Sequence, residues 1–261
     1  MNDTKVTIFG KTVDISAASI EGRRSENEDS AGWIAKTRDG TSGEILGIKK
    51  IHSNASVKDE ILFCILCDGM GGLSNGKAMS SEVVSRSIEW VQKSIFEDSQ
   101  EVFIGYRNFL FFLEKELMEK YPQSGTTVVI LFGYKGEWYS MHIGDSRCYT
   151  ITKKSIWRTK DHSPVEKLYQ TGLIEEFEMN AHPMKNVISA FIGGGHSSKL
   201  ELNRLQNFKK TVLCSDGAYG YMTLDQFRCL ILESQCADEI VQCAYDLESK
   251  DNISAIQVNV E

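Results

Sequence analysis

ILFCILCDGMGG, Ile61 to Gly72, is an apolar run that stops at an aspartate and then places three glycines within four residues. The seven side chains from Ile61 to Cys67 carry no formal charge, have strand length and are rich in Ile and Leu, the signature of a strand buried on both faces. Asp68 stands at the mouth of that strand. A carboxylate there is costly unless something cationic neutralises it, and glycines beside it let another stretch of backbone come close or turn with positive φ. Taken alone, a tight turn with a capping Asp explains the stretch equally well.

Working outward, KVTIFGKTVDISAASIEG alternates around Gly10-Lys11 as a hairpin does, and a strand over Ala31–Thr37 leads into a Gly/Ser/Asp-rich excursion before Ile61. Between Gly76 and Asp98 the apolar residues Met79, Val83, Ile88, Val91 and Ile95 fall at helical spacing, and Val102 to Tyr121 repeats the pattern, which predicts two long amphipathic helices. TTVVILFGYKGEWYSMHIGDSRCYTIT reads as three strands in a meander, turning at Gly133–Gly136 and Gly144-Asp145. The polar segment Lys160–Asn186 is expected as a long loop or a small helical insert. KTVLCSDGAYGYM repeats the logic of the opening stretch, a short apolar strand and then Asp216-Gly217. Helices over Leu224–Glu233 and Ala237–Glu248 follow, and DNISAIQVNV is a final strand led by Asp251. Strands in meanders and helices in pairs predict a layered α+β class. Few prolines and no linker-like change of composition predict a single domain over residues 1–261.

A chain of 261 residues with 41% hydrophobic content can bury a sizeable core. The net charge of -7 and pI near 5.4 argue against a general nucleic-acid surface, which needs a basic patch. The seven cysteines, Cys64, Cys67, Cys148, Cys214, Cys229, Cys236 and Cys243, are an odd number lying mostly in apolar runs, as reduced and buried cytosolic thiols do. Cys64 and Cys67 form a C-x-x-C, but on a strand they point to opposite faces, which argues against a redox or zinc pair. No charged-then-apolar leader opens the sequence and no uncharged segment approaches the roughly 20 residues that cross a bilayer. A cytoplasmic protein with no membrane partner is expected.

Asp68, Asp145, Asp216 and Asp251 each stand at the end or beginning of a strand-like segment, three of them beside a glycine, and Asp29, preceded by Glu28, lies just before another strand. Strand ends on one edge of a sheet meet in space, so these acids are expected to line a single cleft, where they repel one another unless cations sit between them. Oxygen donors without a matching His or Cys cluster favour a hard ion, magnesium or manganese. SAFIGGGHSS is glycine-rich but lacks the Lys-Ser/Thr ending and following helix of a phosphate loop, and reads as a turn. His142 is expected as a packed strand histidine.

The order of motifs resembles the metal-dependent serine/threonine protein phosphatases of the protein phosphatase 2C type, particularly the compact bacterial ones. The likeness runs through RSENEDS, LCDGMGGLSNGKAMS, SGTTVVILF, HIGDSRCYTI, TKDHSPVEKLYQTGLI, HPMKNVI, LCSDGAYGYM and DNISAIQV, in that family's order, from Arg24 to Val260. It implies a four-layer α-β-β-α sandwich of two antiparallel sheets flanked by helices. It implies two divalent ions, manganese or magnesium. Asp68 would bridge both, the carbonyl of Gly69 would join it on one ion, and Asp216 and Asp251 would complete the other. Asp145, with Asp216, would hold a weaker third ion, Glu28 and Asp29 would hold ion-bound waters, and Arg24 would clamp the substrate phosphate. Water bridging the ions would then attack phosphoserine or phosphothreonine directly. Met70 stands where eukaryotic relatives carry a histidine and cannot donate a proton. The insert, about residues 161–186, corresponds to a flap where substrate choice is expected to reside. The implied partner is a phosphoprotein made by a separate serine/threonine kinase, met by a monomer. A catalytically silent phosphatase-like module is the alternative from another class, and the intact Asp68, Asp216 and Asp251 weigh against it.

Overall fold

The computed structural model describes residues 4–55, 57–71, 75–152 and 155–261, so Gly72 of the opening motif lies outside the described residues. The strand at the centre of the argument is β6 (Ile61–Cys67), buried at every position. Ile61, Phe63, Ile65 and Cys67 enter a core beneath helices, while Leu62, Cys64 and Leu66 enter a second core facing another sheet. The two-residue period is present, but it is invisible in the sequence because both faces are apolar. This strand is antiparallel to both neighbours. Its double burial comes from layering, not from a parallel sheet.

β6 lies in the middle of a seven-stranded antiparallel sheet, between β9 (Val128–Tyr134) and β3 (Ser30–Thr37). Beyond β9 come β10 (Glu137–Ile143) and β13 (Glu201–Leu205), and beyond β3 come β4 (Gly40–Ile45) and β5 (Lys49–Ser53). The facing six-stranded sheet is also antiparallel and runs β1 (Thr4–Ile8), β2 (Lys11–Ile20), β15 (Ile253–Val260), β14 (Lys210–Cys214), β11 (Arg147–Ile151), β12 (Ile156–Arg158). A short pair, β7 (Gly69–Met70) and β8 (Gly125–Thr126), sits at the mouth of β6. The long helices α1 (Asn75–Lys93) and α2 (Ser99–Lys120) cover the larger sheet, and α6 (Leu224–Glu233) and α7 (Ala237–Asp246) cover the smaller. Three apolar layers therefore separate four structural layers, the α-β-β-α sandwich of the α+β class. Between the strands lie the short helices α3 (Pro164–Gln170), α4 (Glu176–Met179) and α5 (Asp216–Tyr219). Among the described residues no helix is long and apolar enough to cross a membrane.

Three local expectations change. The excursion after Thr37 forms β4 and β5, whose Gly, Ser and Lys content masks an edge hairpin. The three-strand meander is a β9–β10 hairpin followed by a crossing, because β11 pairs with β14 in the opposite sheet. That crossing is what carries Asp145 to the end of the sandwich. Finally, α1 stops at Lys93, and Ile95, expected on its buried face, is 90% exposed. The ammonium of Lys36, on β3, explains the stop: it donates to the carbonyls of Val91, Gln92 and Ser94 at 3.2, 3.3 and 2.9 Å. A cation thus satisfies the open end of the helix, where the dipole favours positive charge.

Candidate active site

The acids converge, from both sheets rather than from one edge of a single sheet. Asp68 follows β6 of the larger sheet, Asp216 follows β14 and Asp251 precedes β15 of the smaller one, and Asp145 lies on the crossing between them. Together with Arg24, Glu28 and Gly69 they line one cleft of about 630 Å³.

Each is mounted by its backbone. Asp68 donates its N–H to Thr127 Oγ1 and its carbonyl accepts from the Thr127 N–H and the Thr126 hydroxyl, all at 2.9 Å. Its main chain is engaged and its carboxylate is left for the cleft. Gly69 donates to the Glu28 carbonyl at 3.2 Å, and a Cβ at Gly69 would collide with the carbonyl oxygens of Gly76 and Glu28. The first turn of α1 comes so close that only glycine fits there. Asn252 joins the Arg24–Glu28 loop to the start of β15, donating to the carbonyls of Glu21 and Glu26 at 2.9 and 2.8 Å and accepting from the Glu28 N–H at 2.9 Å. Tyr219 donates to the Asp145 carbonyl at 2.9 Å. Neither Asn252 nor Tyr219 stood out in the sequence as a functional residue, although DN and the first aromatic of DGAYGY sit beside the acids.

The electrostatics are those of uncompensated buried carboxylates. Burial, with Asp29 and then Asp216 nearby, pushes Asp68 well above the carboxylate range, and burial with Asp216 nearby does the same to Asp145. Asp216 is pushed up to about 6 by burial and by Asp251. Its Oδ1 is buried with no hydrogen-bond partner. Arg24 Nη2 donates to Asp251 Oδ2 at 2.7 Å, and the Arg147 guanidinium opposes the upward push on Asp145 and Asp216 without overcoming it. Buried oxygens that lack partners and repel one another fit hard divalent cations and little else.

Asp29 stands apart from the other acids. It does not line this cleft but lies behind it, with Oδ2 accepting from the Ser215 hydroxyl at 2.8 Å, and burial raises it to about 7. From there it supports the Ser215–Asp216 junction through protein contacts.

The expectation that no histidine cluster exists is corrected. His142, His162 and Glu201 come together with ligand atoms within 4.8 Å of one another, because β10 pairs with β13 and places Glu201 opposite His142. His142 is packed, as expected, and Nε2 lies 2.8 Å from the Lys160 carbonyl. Cys64 and Cys67 do lie in different cores, and burial raises both thiols above their ordinary range, which removes the redox reading.

The insert contains α3 and α4 and borders the acids. The Arg147 fork holds Asp161 at its root, at 2.8 and 2.7 Å, and Lys185 and Asn186 line the adjoining part of the cleft beside Asp216. After the insert, the GGG turn wraps the buried carboxylate of Glu114 on α2. Oε1 accepts from Gly193, Gly195 and His196 at 2.9, 3.0 and 3.0 Å, and Oε2 from Ser197 at 3.0 Å. Gly193 holds φ +105, a conformation that aims its N–H inward and that glycine adopts without strain.

No family model matches the chain. A putative protein phosphatase 2C-type protein of Streptococcus pyogenes is 30% identical over 227 residues, covering 78% of this chain and 88% of that one. The protein phosphatase PhpP of Streptococcus pneumoniae is 30% identical over 181 residues, covering 67% and 70%. The crystal structure of the serine/threonine phosphatase Stp1 from Staphylococcus aureus superposes with a TM-score of 0.78 at 26% identity, covering 95% of this chain and 94% of that one.

Proposed function

This chain belongs to the protein phosphatase 2C-type family of metal-dependent serine/threonine phosphatases, and from that premise we propose that its acidic cleft hydrolyses phosphoserine and phosphothreonine on proteins by direct attack of water. The observation that carries the reading is the convergence of Asp68, Asp145, Asp216 and Asp251 in one cleft, where burial and mutual repulsion raise the first three and Arg24 pairs with the fourth. Asp68, Asp216, Asp251 and the Gly69 carbonyl would hold two manganese or magnesium ions, and Asp145 with Asp216 a weaker third. Such ions supply Lewis acidity, neutralising the phosphate and making water ionisable near neutral pH. Asp68 orients from a main chain with no freedom left, because Thr126 and Thr127 hold both of its peptide groups. Glu28 faces the cleft and would hold water there. Asp29, lying behind, would act through Ser215.

Arg24 would bind the substrate phosphate. Its contact with Asp251 uses Nη2, and a guanidinium has five N–H donors, so others remain for phosphate oxygens. Met70 lines the cleft and has no proton to give, so this chain offers no imidazole to the leaving seryl or threonyl oxygen at that position. The insert, about 161–186 of a single domain spanning 1–261, would choose among phosphoproteins through the wall that Lys185 and Asn186 form. The substrate would be the product of a separate serine/threonine kinase, met in the cytoplasm by a monomer.

The roles separate in two variants. Arg24→Ala removes charge-assisted bonds worth ~1.5–3 kcal/mol, so KM for a phosphothreonine peptide should rise roughly 10- to 100-fold. Manganese affinity, read by calorimetry, should stay unchanged or tighten, because a competing cation has left Asp251. Asp251→Asn should weaken manganese and collapse turnover. If Arg24→Ala loses the ions while Asp251→Asn keeps them, the two roles have been assigned the wrong way round.

A further inference from the structure

His162 is the point where the insert, the strand crossing and Glu201 meet. The residue before Asp145 is held by it twice: the Gly144 N–H donates to His162 Nδ1 at 3.1 Å, and the Gly144 carbonyl accepts the His162 N–H at 2.9 Å. The His162 carbonyl in turn accepts from Ser189 at 2.7 Å, just past the insert, and neighbouring Asp161 is locked in the Arg147 fork. One residue therefore ties both ends of the insert to the turn that presents Asp145.

The hydrogen bonds also fix the proton on the ring. An amide N–H can donate only to a lone pair, so Nδ1 is unprotonated and the ring proton sits on Nε2. Nε2 lies 3.3 Å from Glu201 Oε1. The Glu201 carboxylate thus faces the proton-bearing nitrogen of His162, whose other nitrogen accepts from Gly144. The adjacent His142, with ring centroids 5.1 Å apart, is held by its own partner: Nε2 faces a carbonyl that can only accept, so it too carries the proton there. Burial lowers the pKa of His142 and keeps it neutral. A transition metal among His142, His162 and Glu201 would need lone pairs on the two nitrogens that carry protons. Each ring of the trio is tied to the main chain, His142 to Lys160 and His162 to Gly144, which fits a clamp better than a metal site.

We propose that Glu201 and His162 form a positioning pair for Asp145: Glu201 selects the His162 tautomer, His162 clamps Gly144 from both sides, and the clamp sets the Asp145 carboxylate for an outer divalent ion. This rests on Asp145 being an ion ligand, as read above. His162 touches no reacting atom and acts through the main chain of Gly144.

The pair can be tested without turnover. Nitrogen-15 spectra of the metal-free protein should show His162 with bare Nδ1 and protonated Nε2. An Nδ1–H tautomer would overturn the proposal, and so would stoichiometric zinc binding that Glu201→Ala abolishes. In calorimetric manganese titrations, His162→Phe should weaken the weakest binding step about tenfold, the scale on which partners of metal ligands act. His162→Asn, whose Oδ1 can stand in for Nδ1, should recover most of that loss. Asp145→Asn should remove the same step. A lowered melting temperature in His162→Phe with every manganese step intact would make the residue merely structural and sink the pair. If Asp145→Asn itself leaves all steps unchanged, the ion reading of Asp145 falls and the proposal with it. An effect of Asp145→Asn that His162→Phe does not share overturns the proposal alone.

Discussion

Asp216→Asn should abolish turnover and at the same time raise the melting temperature of the chelated protein. The first effect is expected if Asp216 is, as proposed, an anionic ligand of a divalent ion. Lewis-acid stabilisation is worth several kcal/mol, so the rate should fall by ~10³ or more. The second follows from the sign of the shift. The Asp216 carboxyl rises from an ordinary value of 3.8 to about 6 on folding, so the native state holds its proton more tightly than the unfolded chain. Its contribution to stability is fully present below the unfolded value and is lost as pH rises through about 6. At pH 7.5 in chelator the wild-type protein carries that charge at a cost, and asparagine does not. The variant should be more stable by on the order of 2 kcal/mol, and the gap should shrink at pH 5. Manganese should reverse the order, since an ion at 100 times its Kd adds about 2.7 kcal/mol to a native state that binds it. Thermal melts at pH 5 and 7.5, with chelator and with manganese, would read all of this. A variant less stable than wild type at pH 7.5 in chelator would show that the acids are not repelling one another.

Glu114→Ala should cost the fold more than any surface change. Four backbone donors would lose their acceptor at once: Ser197 is buried, Gly193 and His196 are half-buried, and Gly195 is exposed and can turn to water. Each buried donor left unpaired costs about 1–3 kcal/mol, and with one donor buried and two half-buried a loss on the order of 3 kcal/mol is expected after relaxation. In a domain of this size that is a fall in melting temperature of roughly 10 °C. Glu114→Gln keeps one oxygen for three of the donors but turns an NH₂ toward the fourth, and should lose about half as much. Activity should fall too, because Ile192, next to this turn, bridges to Thr126, which holds the Asp68 carbonyl. Hydrogen exchange at Gly193 and Gly195 would report the anchor directly. Unchanged protection of those amides in Glu114→Ala would rule it out.

The ease of reading differed sharply between residues. Asp68 and Asp216 were legible because each closes an apolar strand, and Asp251 because it opens one, places where a charge must be explained. The two long helices were legible from their spacing, and the final strand from its alternation. Glu114 was not, although it shares the buried stripe of Leu110, Leu113 and Leu117, a place where a carboxylate is as costly as at Asp68. Its partners lie about eighty residues on, and a local pattern cannot name them. Lys36 has the same kind of distant partner: only the arrival of α1 gives it three carbonyls, which its own strand pattern does not record. The sheet exchange between β10 and β11 was illegible because a two-residue period records which face a side chain takes, not which sheet the strand joins. The same limit left the acids on one imagined edge, and left Asp29 beside them when it lies behind.

The position of β15 bears on how such a chain is made. It lies between β2 and β14, so the smaller sheet has a gap at its centre until residues 253–260 are in place. A nascent chain halted before them presents two facing rows of unpaired N–H and C=O groups, the kind of open edge that recruits other strands. Closing the gap joins segments more than 230 residues apart, a contact of the slowest sort to form. Asp251 enters with that strand. Closure of the sheet and completion of the acidic cleft are therefore one event, and a product stalled or cut before residue 251 would have neither.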